Sequence, residues 1–122
     1  MAAARPTAPH PFLDWEGVLA FAHRGGMSEA PENTLDAFQH AVDLGYTFLE
    51  TDVHLTSDGV LVAFHDADLE RTCGIKGKIN DLSWDAVREA KVDGTHPIPQ
   101  FTDLLDAFPH ARINVDCKSD EA

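Results

Sequence analysis

Basic residues are scarce in this 122-residue chain: nine Lys and Arg stand against 21 Asp and Glu, a formal charge of −12 at pH 7. That balance argues against a diffuse basic patch of the kind that grips nucleic acid or an anionic membrane. An anionic ligand would need something local to offset the field, and a bound metal would serve. Cysteine is rarer still. Cys73 and Cys117 lie forty-four residues apart and in no metal-ligand spacing, so two free thiols in a reducing compartment are expected rather than a disulfide. No apolar run is long enough to cross a bilayer, and Met1 to Pro11, with Arg5 and three prolines, lacks the apolar centre of a signal peptide. The expectation is a soluble cytoplasmic protein, with residues 1–14 a loosely ordered tail and residues 15–122 one folded unit. Internal repeats and low-complexity segments are also missing.

What the chain has is an alternation of short apolar runs and helical patterns, which reads as α/β. Val18-Leu19-Ala20-Phe21-Ala22 is a continuous apolar run ending at His23-Arg24-Gly25-Gly26, the pattern of a fully buried strand feeding a functional loop. Leu35, Phe38, Ala41 and Val42 recur at helical spacing, with Pro31, Glu32 and Asn33 or Thr34 as the start signal and Gly45 as the stop. Weaker helices are expected from Ser83 to Ala90 and from Thr102 to Phe108, the latter closed by Pro109. Arg112 to Lys118 alternates as a strand, with Asp116 and Lys118 on one side.

Phe48 to Asp66 carries the most information. Asp58-Gly59 between two alternating runs signals a hairpin, and a two-residue turn there pairs Ser57 with Val60 and sets Asp52 opposite His65. Leu49, Val53, Leu55, Val60, Val62 and Phe64 then form a core side, and Glu50, Asp52, His54 and Thr56 a site side shared with Leu61, Ala63 and His65. A short irregular crossover remains the alternative to the hairpin. Two carboxylates at i and i+2 on one face supply oxygens to a hard cation such as Mg²⁺ or Ca²⁺, with Asp116 as a third candidate and Lys118 placed to meet a phosphate oxygen. His23 and Arg24 lead into Gly25-Gly26, where the backbone can approach a ligand closely. His10, His40, His96 and His110 read as ordinary surface or core residues, His54 as a supporting group or a solvated one, and Trp15 and Trp84 as core.

Together, His23-Arg24-Gly25, Pro31-Glu32-Asn33-Thr34, Glu50-Thr51-Asp52-Val53, Thr56-Ser57-Asp58-Gly59 and His65-Asp66, with Arg71-Thr72 following, resemble the N-terminal signature of glycerophosphodiester phosphodiesterases, over roughly Phe21 to Lys118. The resemblance implies a (β/α)₈ TIM barrel, a divalent metal, and hydrolysis of small-molecule glycerophosphodiesters to sn-glycerol 3-phosphate and an alcohol. Carried over by position, it implies that His23 and His65 are the acid/base pair, Glu50 and Asp52 metal ligands, and Arg24 and Lys118 phosphate contacts. It also implies an attack by the neighbouring glycerol hydroxyl, through a cyclic intermediate. The family usually has Glu where this chain has Asp116, so the third ligand here is one methylene short.

A (β/α)₈ barrel takes about 250 residues, while this sequence yields four strand candidates. The expectation is therefore the first half of the family's barrel, whose open edges and apolar interior call for a second copy or for the missing half. Two other readings stand beside the glycerophosphodiesterase. One is a related phosphodiesterase of lysophospholipids or sphingolipids, which the lack of a signal peptide and of disulfide-like spacing disfavours. The other is a truncated, non-catalytic fragment that binds metal or phosphate.

Overall fold

The computed structural model describes residues 10–122. Its centre is strand β2 (Phe48–Leu55), which β6 (Arg112–Cys117) follows in parallel along one edge from Phe48↔Arg112 to Val53↔Cys117. The other edge is shared by β1 (Phe21–His23), parallel over Phe48 to Glu50, and β3 (Leu61–Ala63), antiparallel over Val53 to Leu55. The three parallel strands lie in the order β1-β2-β6 and are joined by helices, as successive βα units of one sheet require.

Helix α1 (Leu35–Asp43) forms where its pattern predicts. Thr34 Oγ1 accepts the Ala37 N–H at 3.2 Å as N-cap, Asp36 favours the positive end of the helix dipole, and Gly45, at φ +101°, stops it. Its inner face sets Phe38 and Ala41 against Ala22 and Leu49 of the sheet and against Leu104 and Phe108 of α4 (Phe101–Ala107) and its cap. Complete burial of Phe38, Leu49 and Leu104 is worth about 1.5–3 kcal/mol apiece. A second core gathers Val62, Phe64, Leu69, Ile79, Val87, Val92 and Ile98 between β2 and α4, in a segment that also holds α2 (Glu70–Cys73), α3 (Trp84–Val87) and the two-residue strands β4 (Lys91–Val92) and β5 (His96–Pro97). Cys73 and Cys117 are free thiols, and burial pushes the Cys73 thiol up. No helix among the described residues is long and apolar enough to cross a membrane.

Three expectations need correction. The apolar run Val18 to Ala22 is strand only from Phe21, and Val18 is 86% exposed. The reason lies in the ladder: β2 begins at Phe48, opposite Phe21, so Val18 to Ala20 have no partner strand among the described residues. The helix expected from Ser83 to Ala90 shortens to the single turn of α3, with Ser83 as N-cap and Arg88 as C-cap. The hairpin is real, but its loop has three residues. Thr56 and Val60 close it, Gly59 alone takes a positive φ, and Asp58 is held by Thr56 Oγ1 at 2.6 Å and by the Trp84 N–H at 2.9 Å. A type I′ turn would need positive φ at Asp58 as well. The register therefore slips by one: Asp52 faces Phe64 rather than His65, and Val60, Val62 and Phe64 line up with the site side of β2.

The tail expected over residues 1–14 falls outside the described residues for 1–9. Residues 10–14 are docked: Pro11–Leu13 turn as a short 3₁₀ segment, and Arg112 donates to the carbonyls of Phe12 and Asp14 at 2.9 and 2.8 Å. Phe12, Trp15 and Phe21 then surround the Phe48 ring at 5.7, 5.1 and 5.1 Å between centroids. This aromatic cluster fills the N-terminal end of the sheet face on which the carboxylates stand.

Candidate active site

Parallel pairing puts partnered residues side by side on the same face, so the register itself assembles the site. His23, Glu50 and Asn114 form one rung, and Asp52 and Asp116 the next, toward the carboxyl ends of β1 and β6. Helices cover the opposite face, which carries Ala22, Leu49 and Ile113.

The loop after β1 turns through two non-glycine residues at positive φ, Arg24 at +52°, where such a backbone is rare, and Asn33 at +56°, where it is better tolerated, joined by the Asn33 N–H to the Arg24 carbonyl at 2.8 Å. Gly25 fits beneath them because a side chain there would strike α1: a Cβ would lie 3.0 Å from the Phe38 ring and 3.1 Å from its backbone nitrogen. The Arg24 backbone N–H donates to Glu50 Oε2 at 3.0 Å, with His23 Nε2 at 3.9 Å from the same oxygen. The His23 side chain is 59% exposed, open to a ligand.

Asp52 is only 2% exposed, and both its oxygens are engaged: Asn33 Nδ2 donates to Oδ2 at 3.1 Å, and Lys118 Nζ lies 3.3 Å from Oδ1. Lys118 also meets Asp116 at 2.7 Å. This pairing lowers the Asp116 pKa, chiefly through the hydrogen bond from Lys118, and raises that of Lys118. Arg24 Nη1 donates to Glu32 at 2.9 Å, while its Nε, 3.7 Å from Asp52, is the one buried side-chain polar atom without a hydrogen-bond partner among the described residues. A buried donor left open at this point suits an anionic oxygen.

His65 lies in the bend after β3. Its Nδ1 is 2.7 Å from Asp66 Oδ1, and its carbonyl accepts the Nε2–H of His54 at 2.9 Å, so His54 is a support for the His65 backbone. Asp66 is gripped by Arg71 through Nε at 2.7 Å and Nη2 at 3.0 Å, and Arg71 Nη1 donates to Glu32 at 2.6 Å. The Arg71 hydrogen bonds hold the Asp66 carboxyl well below its ordinary value. Burial pushes Glu32 up, but hydrogen bonds and charge from Arg71 and then Arg24 outweigh it and hold it low.

The seven residues singled out from sequence thus fall into a paired-carboxylate group (His23, Arg24, Glu50, Asp52, Asp116, Lys118) and His65, which is tied back through Asp66, Arg71 and Glu32. Among the described residues no three His, Cys, Asp or Glu side chains are gathered as a metal-ligand cluster, and Lys118 is the cation between Asp52 and Asp116. The donor set nonetheless fits a hard divalent ion: carboxylates only, on adjacent rungs of one face. Asn33, Glu32, Asp66 and Arg71 were not assigned to the site from sequence. Sequence marks Asn33 as a helix-start signal, and its tolerance of left-handed backbone equally suits it to a tight functional loop.

Residues 23–121 match the model of the glycerophosphoryl diester phosphodiesterase family. A Mycobacterium tuberculosis protein named as a probable glycerophosphodiester phosphodiesterase is 43% identical over 91% of this chain and 42% of its own length. A Rattus norvegicus lysophospholipase D is 39% identical over 80% of this chain and 35% of its own. Among solved structures, a Thermotoga maritima glycerophosphodiester phosphodiesterase superposes with TM-score 0.74 at 32% identity, over 88% of this chain and 47% of that one. An Oleispira antarctica phosphodiesterase, solved with the product sn-glycerol-3-phosphate, gives 0.75 at 29%, over 80% and 43%. The chain spans less than half the length of these relatives. Its three parallel strands and the helices between them are the opening βα units of their fold, so the chain belongs to the glycerophosphoryl diester phosphodiesterase family and holds roughly the first half of a (β/α)₈ barrel.

Proposed function

We propose that this chain carries the metal-binding and acid/base half of a site that hydrolyses glycerophosphodiesters to sn-glycerol 3-phosphate and an alcohol. One observation carries the reading: parallel register brings His23, Glu50, Asp52 and Asp116 onto adjacent rungs of one sheet face, with the unpartnered Arg24 Nε beside them. Glu50, Asp52 and Asp116 would hold Mg²⁺ or Ca²⁺, which when bound offsets the negative charge that gathers on the phosphoryl oxygens. Arg24 and Lys118 bind and orient those oxygens from the protein side. Of His23 and His65, one takes the proton of the attacking hydroxyl and the other returns a proton to the departing alkoxide, each contributing about 10²- to 10⁴-fold.

The substrate is a small molecule and not nucleic acid, in keeping with the charge of −12. Free thiols at Cys73 and Cys117 accord with a cytoplasmic enzyme of lipid and glycerol metabolism. Residues 15–122 form the catalytic unit, and the outer edges of β1 and β6, unpaired among the described residues, are completed by a second copy or by the remaining half of a barrel. The rat relative's name brings in a second substrate class, the lysophospholipids.

The test is release of glycerol 3-phosphate from glycerophosphocholine, with lysophosphatidylcholine in parallel, in Mg²⁺, Ca²⁺ or EDTA, beside His23→Ala and a size-exclusion mass. Metal-dependent release that EDTA and the substitution both abolish is the expected result. Release that survives EDTA would remove the metal from the reading. No release from a folded sample would reduce the chain to a binding fragment, and faster turnover of the lysolipid would reassign the substrate.

A further inference from the structure

We infer that Arg71 is a positioning residue for His65, acting through Asp66 to fix which imidazole nitrogen meets the substrate. The inference rests on the proposed role of His65 as an acid or base, and it adds a residue to which that reading gives no task.

The geometry is a fork on a carboxylate. Arg71 Nε and Nη2 donate to the two oxygens of Asp66 at 2.7 and 3.0 Å, so the carboxylate can neither rotate nor tilt without breaking a charged hydrogen bond. Asp66 Oδ1 lies 2.7 Å from His65 Nδ1. A carboxylate held as the anion only accepts, so Nδ1 carries the hydrogen and the bare nitrogen of the neutral ring is Nε2. Nε2 is then the atom able to take a proton from a hydroxyl or, once protonated, to give one to an alkoxide. The His54 donation to the His65 carbonyl at 2.9 Å holds the backbone while Asp66 holds the ring.

Arg71 is itself aimed by Glu32. Its Nη1 donates to Glu32 Oε1 at 2.6 Å, and the other Glu32 oxygen accepts from Arg24 Nη1 at 2.9 Å. One carboxylate thus ties the arginine that orients His65 to the arginine that faces Asp52. Ligand contact at Arg24 and ring orientation at His65 share one rigid frame, although the residues come from the β1 loop and from the segment after β3. A purely structural clip between those two segments would also use Arg71 and Glu32, but it would not set a tautomer.

The tautomer is therefore the quantity to measure. ¹⁵N-labelled protein is examined by two-bond ¹⁵N–¹H correlation of its imidazoles above about pH 8, where an ordinary histidine is neutral; His65→Gln assigns the signal. The unsubstituted chain is expected to show the Nδ1–H form at His65, and Arg71→Met to move the ring toward Nε2–H. Arg71→Lys keeps the charge, loses the fork and serves if the methionine variant does not fold; it should give an intermediate shift. In turnover, kcat is expected to fall about 10- to 100-fold in Arg71→Met, less than the 10²- to 10⁴-fold that an acid or base itself supplies, with KM unchanged. An Nε2–H ring in the unsubstituted chain, or an unchanged Nδ1–H ring in a folded Arg71 variant, overturns the inference. The NMR result does not need activity: an unsubstituted chain without turnover would count against the proposed function, and the tautomer would still decide Arg71.

Discussion

Gly25 and Gly26 offer a matched pair in which backbone strain and side-chain collision can be separated. Both sit at φ +80°. Alanine at either position meets the left-handed penalty of about 1–2 kcal/mol, relieved by about 0.4–1 kcal/mol because alanine restricts the unfolded chain more than glycine. At Gly26 nothing lies within 4 Å of the added methyl. At Gly25 the methyl lies 3.0 Å from Phe38 Cδ1, 3.1 Å from Ala37 Cβ and 3.1 Å from the Phe38 nitrogen. Phe38 is completely buried against Ala22 and Leu49, and its N–H is bonded to the Thr34 carbonyl at 3.1 Å, so neither ring nor backbone can step aside. Overpacking of this kind costs about 1–3 kcal/mol.

Gly26→Ala is thus expected to destabilise by no more than about 1.5 kcal/mol and Gly25→Ala by a further 1–3 kcal/mol or so. Urea unfolding followed by far-UV circular dichroism measures both, with equal slopes required before midpoints are compared. Equal losses in the two variants would refute the claim that α1 bears on the loop through Gly25. The same contact has a functional consequence. Asn33, which holds Asp52, directly precedes the N-cap of α1, so a helix displaced by the methyl carries Asn33 away from the carboxylate.

Acid should unfold the chain through the network around His65. Folding lowers the pKa values of Glu32 and Asp66, so their contribution is complete above their ordinary values of 4.5 and 3.8 and is lost as pH falls through the lower folded values; thermal midpoints should hold near neutrality and drop below about pH 4.5, more steeply than in Glu32→Gln, and equal slopes would count against it. Trp15→Ala removes an edge-on contact with Phe48 and the guanidinium of Arg112 5.6 Å from its ring, about 1–2.5 kcal/mol together. A urea midpoint unmoved by that substitution would show that the segment before β1 contributes nothing to the sheet it touches.

The sequence was most legible where one interaction decides the outcome. Helix α1 follows from a cap, an apolar stripe and a stop glycine, all local, and β6 follows from strict alternation. The parallel register that places His23 beside Glu50 and Asp52 beside Asp116 is non-local, and there the family resemblance supplied the grouping that periodicity could not. The hairpin shows how a local signal misleads. Asp58-Gly59 suits a two-residue turn, but the Asp58 carboxylate has partners in Thr56 and in the Trp84 backbone, so a contact twenty-six residues away chose the three-residue loop. One residue of slip moved Phe64 opposite Asp52 and left His65 in the bend after β3. Strand β1 is shorter than its apolar run for a related reason: Val18 and Leu19 have no partner strand in register with them among the described residues.

The scarcity of basic residues is reconciled with an anionic ligand by where those residues stand. Three of the nine, Arg24, Arg71 and Lys118, converge on this site, and each lies between two carboxylates. The result is an alternating series from Asp116 through Lys118, Asp52, Arg24, Glu32, Arg71 and Asp66 to His65, with no separation above the 3.7 Å between Arg24 and Asp52. Alternation keeps the cations in place before any ligand arrives, which lowers the ordering cost of binding. It also leaves the site acidic, with Glu50 in addition, so these side chains alone would repel a phosphodiester. Two negative charges remain in excess there, and a dication held by Glu50, Asp52 and Asp116 would cancel them, leaving Arg24 and Lys118 to meet the phosphate. The protein's acidity thus accords with metal-assisted binding of an anion, provided the positive charge is brought in with the metal rather than encoded in the surface.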